Sequence, residues 1–138
     1  MILFGIGHLA YLWAFLSPKL SHKADHSQTR HKRISVVVGW WLLATLGWWL
    51  TASEVPQPLL RWPALGYAWM ISLMGAVATW RAMSDSRWNW VALGALLFFI
   101  SDFILAWQSF RGSFPLASDL CWLTYGPAQM LIVRGSGN

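Results

Sequence analysis

Carboxylates are scarce in this chain, with five Asp and Glu among 138 residues. Charged residues of every kind amount to 11 %, where a soluble globular domain carries about 25 %. That shortage argues against a water-solvated surface. Cysteine occurs once, at Cys121, which excludes an intrachain disulfide and any cysteine-based zinc site. At an apolar helix start the thiol reads as packing. Met1–Ser17 has no basic lead-in and no small-residue cleavage site after it, so no secretory signal is expected. No internal repeat and no low-complexity tract are present.

What fills the chain instead is apolar. Hydrophobic residues make up 57 %, and Trp alone appears twelve times. Trp62, Trp88, Trp90 and Trp107 fall at segment ends, where aromatic belts meet the membrane interface. Five apolar segments, residues 2–16, 34–52, 63–80, 90–107 and 116–133, approach the ~17–25 residues that span a hydrocarbon core. In lipid the backbone must satisfy its own hydrogen bonds, so the expected fold is all-α, a polytopic bundle of five membrane helices. Residues 1–138 then form one transmembrane domain.

Charge sets the orientation. Lys19, Lys23, Arg30, Lys32, Arg33, Arg81, Arg87 and Arg134 fall on one side, and Arg61 and Arg111 on the other. Positive residues mark the cytoplasmic side, so the N-terminus is expected outside and the C-terminus in the cytoplasm of a plasma (inner) membrane. The net charge of +5 sits in short connecting loops and not on one face, so no nucleic-acid partner is expected. On the third segment Ala64, Ala68, Ser72 and Ala76 recur every four residues, a ridge of small side chains that admits a close neighbour. Met70 and Met74 beside it suit core packing better than an acyl slot.

Polar groups recur at one depth. FFISDFILAW (Phe98–Trp107) places Asp102 in an apolar run with no Lys or Arg within eight residues. At ~1.5 Å per residue, Asp102 lies roughly 8 Å inside the outer end of its segment and Tyr67 roughly 6 Å inside its own. His8, Tyr125 and Gln129 follow at roughly 10, 11 and 17 Å. Tyr125 and Gln129 share a helix face, as do His8 and Tyr11. An intramembrane acid costs about 2.5–3.5 kcal/mol and is a functional candidate by default. The structural alternative is a carboxyl bonded to Ser101 or Tyr125 that locks helices together. Pro127 bends the last segment near the same layer and frees a backbone carbonyl.

Other constellations fail. His22, His26 and His31 lie among cations that repel a metal ion, so no metal site is expected. Gly5–Gly7 lacks the strand, helix and third glycine of a dinucleotide site. Ser101, His8 and Asp102 do not suit a hydrolytic triad, because adjacent helical positions point about 100° apart.

Three blocks carry a resemblance: GIGHLAYLWAF (Gly5–Phe15), GALLFFISDFILAWQSF (Gly94–Phe110) and TYGPAQMLIVRG (Thr124–Gly135). They resemble, in order, blocks of the YhhN family, the lysoplasmalogenase family of polytopic membrane proteins. Trp62–Ala78 is similar to the family's Pro–Tyr–Met helix through Pro63, Tyr67 and Met74. The resemblance implies an eight-helix protein of which this chain keeps the last five. The family's earlier helix with a Gly-Asp pair has no counterpart here.

The activity implied is hydrolysis of the vinyl ether of lysoplasmenyl-ethanolamine or -choline to a fatty aldehyde and the glycerophospho head group, without metal or cofactor. On that reading Asp102 serves as acid, with Tyr125, Gln129 and His8 as further catalytic candidates. Ser101, Tyr67, Tyr11 and Arg111 are candidates for substrate binding, and Arg111 or Arg61 would meet the phosphate. A two-carboxylate mechanism needs a second acid. Either His8 replaces it, a separate chain or further helices supply it, or the protein is inactive. The competing class is a non-enzymatic integral membrane protein that binds lipid or a partner. A transporter is a weaker third, since one acid is a thin ion pathway. Self-association into a homo-oligomer is left open.

Overall fold

The computed structural model describes residues 28–136, together with Trp13. Four α-helices follow one another: α1 (Gln28–Ala52), α2 (Pro58–Ser84), α3 (Asn89–Phe110) and α4 (Ala117–Ser136), with a 3-10 turn at Ser86–Trp88 before α3. The described residues contain no strand. Four of the five expected segments thus coincide with helices. The first, residues 2–16, lies outside the described residues, as do His8 and Tyr11.

Each helix runs past its apolar segment, because polar and charged residues join its ends. Arg30, Lys32 and Arg33, expected in a loop, belong to the first turns of α1. Proline starts α2 at Pro58, where a missing N–H costs nothing, and Pro63 follows within the helix. Pro127 likewise lies inside α4. Arg30–Ala52 and Ser86–Phe110 are long and apolar enough to cross a membrane. Only 11 % and 28 % of their most apolar windows are buried, unlike the core helix of a water-soluble domain. Leu42, Trp49, Trp122 and Met130 are among the large apolar side chains left exposed.

The less apolar α2 is the best covered of the four. Ile71, Ser72 and Met74–Ala78 are buried on it, held by α1 on one side and α3 on the other. The small-residue ridge takes part: Ala64, Ser72 and Ala76 are buried, and Ala68 faces a cleft. Gly75 permits the closest approach, since a Cβ there would stand 2.7 Å from the Trp40 ring of α1. Trp40 Nε1 donates to Thr79 Oγ1 at 3.1 Å one turn further along. Gly94 does the same for α3 and α4, with Ala128 O 2.8 Å from the position of a Cβ.

Two apolar clusters hold the bundle. Met74, Val77, Ala78, Trp88, Val91, Ala95 and Ile132 join α2, α3 and α4 at one end. Met74 is therefore core. Nearer the middle, Ile71, Phe98 and Ala128 form a second cluster flanked by Tyr67 and Tyr125. Short connections bring the start of α1, the end of α2, the start of α3 and the end of α4 to one end. Arg33 lies 3.9 Å over the Trp80 ring there, Arg81 4.7 Å over Trp88, and Arg134 5.4 Å over Trp90. The opposite end carries Arg61 and an Arg111–Glu54 ion pair of 2.6 Å. The charge asymmetry read from the loops is thus an asymmetry between the ends of the bundle.

Candidate active site: an apolar cleft with an acid in its wall

A cleft of about 280 Å³ lies between α1, α2 and α3. Each helix contributes one stripe at helical spacing: Ala44, Gly47, Trp48 and Thr51 from α1; Leu60, Ala64, Tyr67 and Ile71 from α2; Phe99, Asp102, Phe103 and Ala106 from α3. Positions three and four apart stack on one face of a helix, so three such stripes facing one another make a continuous wall. The lining residues Leu60 and Ser109 are exposed, and they mark a mouth at the end opposite the Arg–Trp contacts.

The polar groups in this wall are few and mostly occupied on their own helices. Thr51 Oγ1 donates to Gly47 O at 2.8 Å and Ser109 Oγ to Leu105 O at 2.8 Å. Tyr67 and Asp102 reach between helices, and the Tyr67 hydroxyl donates to Asp102 Oδ2 at 3.1 Å. Among the described residues, no Lys, Arg or His lines the cleft. A carboxylate in such walls meets no countercharge among the described residues, whereas a carboxylic acid has a hydrogen bond and an apolar berth.

The sequence-derived candidates part here. Asp102 and Tyr67 meet in the cleft. Ser101, 2 % exposed, points instead to α4, where its Oγ lies 3.5 Å from Cys121 Sγ. The one-residue offset explains this, because neighbours on a helix point about 100° apart. Asp102 is therefore bonded to Tyr67, and neither Ser101 nor Tyr125 takes that place. Tyr125 packs against Phe98 at 5.6 Å between centroids, on the α4 side of the middle cluster and outside the cleft wall. Gln129 is half-buried on α4, also outside the wall. Arg111 caps α3, donating from Nε to Leu50 O at 3.0 Å and from Nη1 to Glu54. Among the described residues no three His, Cys, Asp or Glu side chains gather to hold a metal.

Trp48, Phe99, Phe103 and Ala106 are wall residues that sequence reasoning did not single out. The signal was the i, i+3, i+4, i+7 spacing of Phe99, Asp102, Phe103 and Ala106, and for Trp48 its spacing with Ala44 and Thr51. It was hidden because these helices are apolar on nearly every face, so no stripe stands out.

Comparison with known proteins places this arrangement in a family. Lysoplasmalogenase TMEM86B of Rattus norvegicus is 31 % identical over 137 residues, covering 96 % of this chain and 48 % of its own length. Lysoplasmalogenase TMEM86B of Homo sapiens is 31 % identical over 136 residues, covering 96 % of this chain and 50 % of its own. The chain thus spans about half the length of these curated relatives. No solved structure matches it. The model of the YhhN family matches residues 1–136, nearly the whole chain, and the chain belongs to that family.

Proposed function

We propose that this chain is a multi-pass membrane hydrolase that cleaves the vinyl ether of lysoplasmalogens. The observation that carries the reading is the Tyr67–Asp102 pair in the wall of an apolar cleft. The relatives named lysoplasmalogenase support the substrate class. A single-chain lipid suits the walls, since its tail is apolar and its ether oxygen asks for little polar company.

The chemistry needs one proton delivered to carbon and one water. Asp102, in its acid form, gives its proton to the alkenyl carbon beyond the ether-bearing one, leaving an oxocarbenium ion. The new carboxylate faces that cation and keeps the Tyr67 hydrogen bond, which steadies its charge. Water adds to the oxocarbenium carbon, and Asp102 accepts the proton released. The hemiacetal hydroxyl then gives up its proton as the bond to the glycerol oxygen breaks, and that oxygen takes up a proton in return. Fatty aldehyde and the glycerophospho head group leave, and no metal or cofactor enters. Tyr125 and Gln129 are assigned a supporting role on the α4 side, and His8 and Tyr11 a place on the segment before α1.

Residues 1–138 act in this reading as one transmembrane domain. In it α2 and α4 cross the membrane along with α1 and α3. The mouth of the cleft faces outward and the Arg–Trp end faces the cytoplasm of a plasma membrane. One observation favours the second reading, a lipid- or partner-binding protein without catalysis: among the described residues, Asp102 is the only carboxylate in the cleft wall. The deciding experiment supplies lysoplasmalogen to the purified protein in deuterated water and traps the aldehyde at once by reduction. One deuterium on the carbon next to the former carbonyl is expected. An intact vinyl ether beside a folded helical spectrum favours the binding reading.

A further inference from the structure

Arg61 stands on the first turns of α2 at the mouth of the cleft, beside the lining residues Leu60 and Pro63. Its situation differs from that of Arg111 at the same end. Arg111 is committed to the Glu54 carboxylate and to the Leu50 carbonyl. Arg61 pairs with no carboxylate among the described residues; its guanidinium carbon lies 5.6 Å from the Trp48 ring and 5.4 Å from the Trp62 ring. The two indoles stack at 6.0 Å and 23°. Trp48 Nε1 donates to the carbonyl of Arg61 itself at 3.0 Å, which pins the indoles to the turn that carries the arginine.

Aromatic faces hold a guanidinium in place without neutralising it. The charge and the planar fork of donors therefore remain available, and that fork matches two phosphate oxygens. Arg61 Nε is buried and has no hydrogen-bond partner among the described residues. Trp48 also belongs to the cleft wall, so one surface connects the arginine with the acid. Six residues separate Arg61 from Tyr67, a rise of about 9 Å along α2. A glycerol backbone, its phosphoester link and the arginine's own length together bridge such a gap. Arg33 has a similar buried Nε over Trp80, but it sits at the far end, where no residue lines the cleft.

We infer that Arg61, beside the stacked Trp48 and Trp62 indoles, is the phosphate-binding residue of the cleft, and that it makes the cleft select phosphorylated single-chain lipids over neutral alkenylglycerols. This rests on the lipid-cleft reading above but not on catalysis. The test uses a tritiated saturated-ether lysophospholipid with an ethanolamine head group, which has no vinyl bond to cleave. The matching alkylglycerol, lacking phosphate, is run in parallel on the full chain in detergent. Wild type is expected to bind the phospholipid more tightly than the alkylglycerol. Arg61→Gln is expected to lose about tenfold or more in affinity for the phospholipid and to bind the alkylglycerol as wild type does. Undiminished phospholipid binding by Arg61→Gln overturns the assignment. So does an equal loss for both ligands, which would make Arg61 a structural part of the mouth. If wild type binds neither lipid saturably, the lipid-cleft reading itself fails.

Discussion

The Tyr67 hydroxyl donates to Asp102 Oδ2 across 3.1 Å, and this bond ties α2 to α3 inside a wall of Ala, Ile and Phe side chains. A hydrogen bond in such surroundings is strong, and an orphaned member is costly. The bond fixes which carboxyl oxygen faces the tyrosine. Tyr67 is in this account the residue that orients the acid.

Replacing Tyr67 by Phe removes the hydroxyl and keeps the ring on the Ile71–Phe98–Ala128 cluster. Aldehyde release by Tyr67→Phe is expected to fall in kcat by about tenfold or more with little change in KM, and stability by roughly 1 kcal/mol. Steady-state kinetics and a thermal midpoint in detergent check this together. A rise in KM at unchanged kcat would make Tyr67 a substrate contact instead of the acid's partner.

Much of this site was legible in the sequence, and its pairing was not. Depth counting put Tyr67 and Asp102 within about 2 Å of one another along the membrane normal, since a helix rises a fixed length per residue. Which residues face each other depends on helix rotation. Rotation is poorly encoded when a helix is apolar on nearly all sides, so Ser101 and Tyr125 looked equally good as partners of Asp102. The turn of α3 that buries Ser101 under Cys121 is the turn that aims Asp102 at α2. Helix ends were misjudged for a related reason. Arg30, Lys32 and Arg33 read as loop, yet long cationic side chains extend from the last turns of a membrane helix toward water. Gly75 and Trp40 could not be matched from spacing alone, because a glycine leaves no pattern of its own.

That contact gives a stability prediction. A side chain at position 75 must displace the Trp40 ring or separate α1 from α2, and Trp40 is also held by Thr79. Gly75→Leu is expected to cost about 1–3 kcal/mol through overpacking. The same change at Gly66, where no atom lies within 4 Å of a Cβ, serves as the comparison. Equal thermal midpoints for the two variants would show that α1 does not lie against α2 at this level.

Orientation is open to a chemical test. With Cys121 replaced by Ala, single cysteines at Glu54 or Gly112 are expected to react with an impermeant thiol reagent on intact cells. A cysteine at Ser84 is expected to react only after the membrane is opened. Labelling of Ser84→Cys from outside would invert the bundle and put the mouth of the cleft on the cytoplasmic side.

The most direct test of the central claim is a paired measurement on Asp102→Asn, taking aldehyde release from lysoplasmalogen and thermal midpoint on the same preparation. Asn keeps the shape and still accepts from Tyr67, but it cannot deliver a proton to carbon. Activity is expected to fall by about 100- to 10,000-fold, as for loss of a general acid, while the midpoint stays level or rises because a costly buried acid is gone. Retained activity with a marked drop in midpoint would contradict the account, and would leave Asp102 as a helix-to-helix bond with no part in catalysis.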